Sequence, residues 1–125
     1  MSENTLTGLD LGLQASSDFG VLVQNTATNC EIGLEISNDV DDGVTRVANE
    51  LVSLNTSTNN QVGFGVFSGT KNTIVLNNFA NNRLAGLFFT SKPGGAASIG
   101  NFYGCNKGSV ADANGITQIS VCSEQ

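Results

Sequence analysis

Asp39, Asp41 and Asp42 form the one close group of carboxylates in this chain, inside the stretch Asn38-Asp39-Val40-Asp41-Asp42-Gly43-Val44. Clustered side-chain oxygens suit calcium, a hard cation that takes about six to eight oxygen ligands. Calcium at these three residues is therefore the one cofactor the residue types suggest; the plainer reading is a solvated acidic loop. No second carboxylate group stands at a spacing that would complete a glycosidase pair. The chain contains no histidine, which removes every histidine-dependent triad, proton relay and metal site. Glu31 and Glu35 flank Gly33 and read as surface charge. Lys92-Pro93-Gly94-Gly95-Ala96 reads as a turn, because it lacks the spacing and following helix of a phosphate loop. No catalytic residue is assigned, and catalysis is not expected.

Three cysteines, Cys30, Cys105 and Cys122, match no zinc or CxxC spacing. They are read as free thiols, with an intermolecular disulfide as the alternative. The net charge is −6, and the five basic residues, Arg46, Lys71, Arg83, Lys92 and Lys107, are dispersed. Nucleic acid and acidic membrane surfaces both need clustered cations, so neither is an expected partner. The start of the chain has no basic, then apolar, signal sequence. An extracellular, cell, spore or virion surface remains the favoured location.

The elements that carry these residues emerge from a repeat. Asn25, Asn55, Asn78 and Asn101 are 30, 23 and 23 residues apart. Eight residues after each stand Gly33, Gly63, Gly86 and Ser109; nine after, Leu34, Phe64, Leu87 and Val110; eleven after, Ile36, Val66, Phe89 and Asp112. Apolar residues two apart mark strands with one buried face. A fixed period of about 20–30 residues marks a solenoid of stacked rungs. The longest step absorbs an insertion of roughly seven residues near the acidic cluster. At equivalent turns each asparagine amide can bond the ones above and below, so Asn25, Asn55, Asn78 and Asn101 are expected to form a ladder. Asn55-Thr56-Ser57 matches a glycosylation sequon by letter, and chance accounts for it.

Ile74-Val75-Leu76-Asn77-Asn78-Phe79-Ala80-Asn81-Asn82, followed by Gly86-Leu87-Phe88-Phe89, resembles the right-handed parallel β-helix repeat family of pectin-lyase-like proteins and phage tailspikes. The resemblance covers about residues 7–121. It implies an all-β, right-handed parallel β-helix of about five rungs in one domain over residues 1–125, with a truncated first rung at 7–13 in which Gly8, Leu9 and Leu11 take the places of Gly33, Leu34 and Ile36. Enzymes of that fold process polysaccharides with paired carboxylates, often beside a histidine, and this chain departs from them there.

Two functions compete. The first is a non-catalytic structural or interaction protein, a self-assembling surface, fibre or spore-layer component. The second is a carbohydrate-binding or carbohydrate-processing domain. Leu22, Val52 and Val75, each three residues before an anchor asparagine, are expected outward as an apolar stripe for a partner, unless a terminal segment covers them. Both ends read as half-rungs, so head-to-tail or lateral self-association is expected, with Cys122 at the junction; a cut from a longer coil would leave the same ends.

Overall fold

The computed structural model describes residues 1–16, 18–38, 47–91, 93, 95–113 and 118–122. Among them every strand pairing is parallel and there is no helix. The first turn of chain carries β1 (Thr5–Thr7) and β2 (Leu11–Ala15). The second carries β3 (Val21–Val23), β4 (Thr26–Thr28), β5 (Ile32–Ser37) and β6 (Val47–Ala48). The third carries β7 (Leu51–Ser53), β8 (Thr56–Thr58), β9 (Val62–Phe67) and β10 (Gly69–Thr70). β11 (Thr73–Val75) and β12 (Ala85–Thr90) belong to the fourth, β13 (Phe102–Gly104) and β14 (Val110–Asp112) to the fifth, and β15 (Ile119–Ser120) opens a sixth.

Each strand pairs with its counterpart one turn away, which is what a coil requires. One sheet runs β3-β7-β11-β13-β15 and another β2-β5-β9-β12-β14. Between them lies β1-β4-β8, continued by the single bridges Thr56↔Asn78 and Asn78↔Lys107. A fourth column pairs β6 with β10, extended by Asp18↔Ala48 and Thr70↔Ile99. The protein is a parallel β-helix. The longer turns take their extra residues between β5 and β6 and between β12 and Ile99, so the other corners stay in register.

The core follows from strand alternation. Leu34, Phe64 and Leu87, with Ile36, Val66 and Phe89, are buried in two adjacent columns as the repeat requires. Phe79 stacks on Phe64 with ring centroids 5.5 Å apart. The glycine column marks where two sheets nearly touch. A Cβ at Gly63 would lie 2.7 Å from the Gly86 carbonyl oxygen and 3.1 Å from that of Ser57. No side chain fits between those backbones, so glycine is required there by space rather than by dihedral.

The first turn corrects the expected half-rung at 7–13. Leu11 and Leu13 pair with Ile32 and Leu34, so Gly12, not Gly8, continues the glycine column. Ser2 bridges Val23, β1 pairs β4 and Asp18 bridges Ala48, so this rung reaches all four columns. The first turn is therefore not the half-rung from which head-to-tail assembly was expected.

The cysteines are also corrected. Cys105 and Cys122 form a disulfide within the chain, their Cα atoms 5.4 Å apart, and Cys30 is free and buried. Parallel pairing of β13 with β15 brings the two together although 17 residues separate them. Cys122→Ser is expected to cost about 2–3 kcal/mol, the loop-closure value for a ring of this size. The loss should be local. The amides of Ile119 and Val121, which donate to Asn101 O and Tyr103 O, should exchange freely in the variant while those of β9 stay protected.

Candidate binding faces

Among the described residues, most corners of the coil pair a residue of left-handed backbone with an inward polar side chain after it. At the corner before β1, β4 and β8 the pairs are Glu3-Asn4, Gln24-Asn25, Leu54-Asn55, Leu76-Asn77 and Cys105-Asn106, with φ of 53–61° at the first residue of each. The inward amides form a continuous ladder. Asn4 Nδ2 donates to Asn25 Oδ1 at 2.9 Å, Asn25 to Asn55 at 3.0 Å, Asn55 to Asn77 at 2.9 Å and Asn77 to Asn106 at 2.9 Å. Each Oδ1 also accepts the backbone N–H of the asparagine one rung earlier. A left-handed non-glycine residue costs about 1–2 kcal/mol, and these doubly used amides offset it.

Two further ladders stand at the other corners. Asn72 Oδ1 accepts from Glu50 N, Asn72 Nδ2 donates to Asn101 Oδ1, and Asn101 Nδ2 donates to Gln118 Oε1. Asn60 Oδ1 accepts from Cys30 N, and Asn82 Oδ1 from Asn60 N. Of the four anchors expected in one ladder, the structure brings together Asn25 and Asn55 only. Asn77, not Asn78, is their successor. Asn78 is half-buried on the neighbouring column, exchanging backbone bonds with Asn55 and Ser57. Asn101 belongs to a different corner. Two adjacent asparagines fit the letter pattern equally, and the step from Asn55 to its successor is 22 residues rather than 23. Asn55 is buried in its ladder, which removes it as a glycan acceptor.

The expected apolar stripe is corrected too: Ile74, not Val75, is the counterpart of Leu22 and Val52. Leu22 and Val52 pair in register with Ile74 and Tyr103, and the first three are buried in the core. In a strand, a shift of one residue moves every side chain to the other face. Val75 does face outward, half-buried. The real outer surface of that sheet presents Val21, Val23, Leu51, Val75, Phe102, Ile119 and Val121, with Leu54 and Leu76 at its corner, both more than half exposed. No strand of this sheet carries a charged residue. Beside it, Leu54, Leu76, Thr56, Asn78, Cys105 and Lys107 line a shallow groove.

A more polar groove lies at the next corner, lined by Asp10, Asn29, Glu31, Gln61 and Arg83, with a volume of about 560 Å³. Asp39, Asp41 and Asp42 lie outside the described residues. Among the described residues no group of three or more His, Cys, Asp or Glu converges as a metal site. The sequence reading missed one regularity. Asn-Thr-x-Thr occurs at Asn4, Asn25 and Asn55, and in the coil these three segments stack. Aligning on all three corners, rather than on one asparagine per turn, would have exposed it.

A family model described as "Periplasmic copper-binding protein (NosD)" matches residues 1–108. No curated protein and no solved structure matches.

Proposed function

Because the chain belongs to the NosD family, described as periplasmic copper-binding proteins, we propose that it works outside the cytoplasm as a non-catalytic interaction module whose β3-β7-β11-β13-β15 face associates laterally with a second copy. The Cys105–Cys122 disulfide supports an oxidising compartment.

Copper does not fit this chain's donors. Copper sites draw on imidazole, thiolate and thioether. The chain has no histidine and one methionine, Met1. Two of its three cysteines are joined, and the third, Cys30, is buried with its sulfur donating to Thr28 O.

The observation that carries the reading is the uncharged apolar face. Copies with a net charge of −6 repel one another, and this sheet is where they can approach without bringing charges together. Five strands about 4.8 Å apart and three residues wide present an area on the order of 200 Å². A stable interface needs about 800 Å² per partner, so the association is weak and concentration-dependent. Sedimentation velocity over a range of concentrations should show the wild-type boundary speeding up as concentration rises. Leu51→Glu, on the outer face, should abolish that dependence without lowering the melting temperature. A wild-type protein that stays monomeric throughout sinks the reading.

A second reading, binding of a polysaccharide chain, is favoured by the groove along Asp10, Glu31, Gln61 and Arg83. No aromatic side chain lines it, and Phe64, Phe79 and Phe89 are buried in the core.

A further inference from the structure

We infer that the outer face of β1, β4 and β8 binds ice. The three strands are Thr-Leu-Thr, Thr-Ala-Thr and Thr-Ser-Thr. Their parallel registers pair Thr5 with Thr26 and Thr26 with Thr56, and likewise Thr7 with Thr28 and Thr28 with Thr58. The middle residues, Leu6, Ala27 and Ser57, point inward; Ala27 and Ser57 are fully buried. Six threonines therefore stand outward, exposed or half-exposed, in two rows of three. No hydrogen bond within the described residues uses any of their hydroxyls, whereas the inward Ser57 hydroxyl donates to Gly63 O at 2.7 Å and accepts from Asn60 Nδ2 at 2.9 Å.

The array is periodic in two directions. Alternate residues along a strand are about 6.6 Å apart and neighbouring strands about 4.8 Å apart. These spacings lie close to the repeats of the water-oxygen lattice on a face of hexagonal ice. Threonine offers that lattice two groups at once: a hydroxyl that can take a lattice position and a methyl around which water orders. Its branched Cβ restricts χ1, so the array is already arranged before binding. None of the three triplets contains a charge, and charged groups hold liquid-like water that disrupts a lattice.

The flanking corners keep this face regular. Sheets ordinarily twist, and flat ones are typically held by side-chain ladders. Here the Asn4-Asn25-Asn55 ladder precedes the threonines directly. Gly8, Asn29 and Asn59, all left-handed, follow them. In the next two rungs Asn78 and Lys107 occupy the column in place of threonine. The array is thus three rungs long, and its effect should appear as crystal shaping and slowed recrystallisation rather than a wide freezing gap. A lattice engages both rows and all three rungs, whereas a single soluble chain would follow one line of them. No aromatic ring stands in the array, which argues against a crystalline polysaccharide. This face is separate from the apolar sheet proposed for self-association, so the two ideas stand or fall independently.

The test is microscopy of single ice crystals in solutions of the purified full chain, with ice-recrystallisation assays beside it. Wild type should facet the crystals and keep grains small. Thr26→Tyr, which places a bulky side chain in the centre of one row, should lose both effects while keeping the wild-type melting temperature. If that variant is destabilised, Thr28→Val, which keeps the shape and removes one hydroxyl, takes its place and should weaken both effects. Lys71→Ala, away from the array, should behave as wild type. Round crystals and coarse grains with wild type at every concentration would overturn the inference. So would binding to crystalline chitin or cellulose without ice shaping, or equal ice activity in all variants.

Discussion

Asn77→Ala is expected to lower the unfolding free energy by about 3 kcal/mol or more, while Asn78→Ala next to it costs under about 1 kcal/mol, because each buried polar group stripped of its partner costs roughly 1–3 kcal/mol. Asn77 is an inner member of the longest ladder, between Asn55 and Asn106. Its Oδ1 accepts from both the backbone N and the Nδ2 of Asn55 at 2.9 Å. Its Nδ2 donates to Asn106 Oδ1, Val52 O and Val75 O. Alanine removes all of these and leaves the buried Asn55 N–H without an acceptor, while Asn55 Nδ2 keeps Leu22 O and Ser53 O. The Asn78 side chain accepts one hydrogen bond, from Ala80 N at 3.2 Å, and it is half-exposed to water. Urea midpoints of the two variants, converted with a shared m-value, make the comparison. Equal midpoints would show that the ladder does not hold the coil together.

Phe64→Ala should be of similar size, about 3–5 kcal/mol, the usual range for removing a buried phenylalanine. Phe64 is fully buried in the central rung and stacks on Phe79. Its rung is stacked on both sides, by β5 and β12, so the backbone cannot close around the void without breaking two registers. Neighbours in a solenoid share stability through their interfaces. The loss should therefore appear as a lower single transition rather than as a local change. Phe19→Ala, at a corner where the ring is mostly exposed, is the control and should be nearly neutral. A Phe64→Ala midpoint within experimental error of wild type would mean the core is not packed as described.

The parallel coil was legible in the chain because it rests on local chemistry repeated at a fixed step. Apolar residues alternate at Leu34 and Ile36, Phe64 and Val66, Leu87 and Phe89. Glycine recurs at Gly33, Gly63 and Gly86 where two backbones meet, and Ser109 follows in the same column. These residues identify themselves by type, so no neighbour is needed to read them. Asparagine does not identify itself in this way. Asn77 and Asn78 are the same residue side by side, and only the 22-residue step to the rung below decides which amide turns inward. That one-residue choice puts Ile74, not Val75, in register with Leu22 and Val52, and all three are buried. The Cys105–Cys122 pairing follows from β13 lying against β15, a proximity that a 17-residue separation does not announce. The threonine array is of the same kind. Its three triplets are 21 and 30 residues apart, unequal steps that nevertheless pair in register. What repeats within a rung is written in the chain; what lines up between rungs is set by where each rung closes.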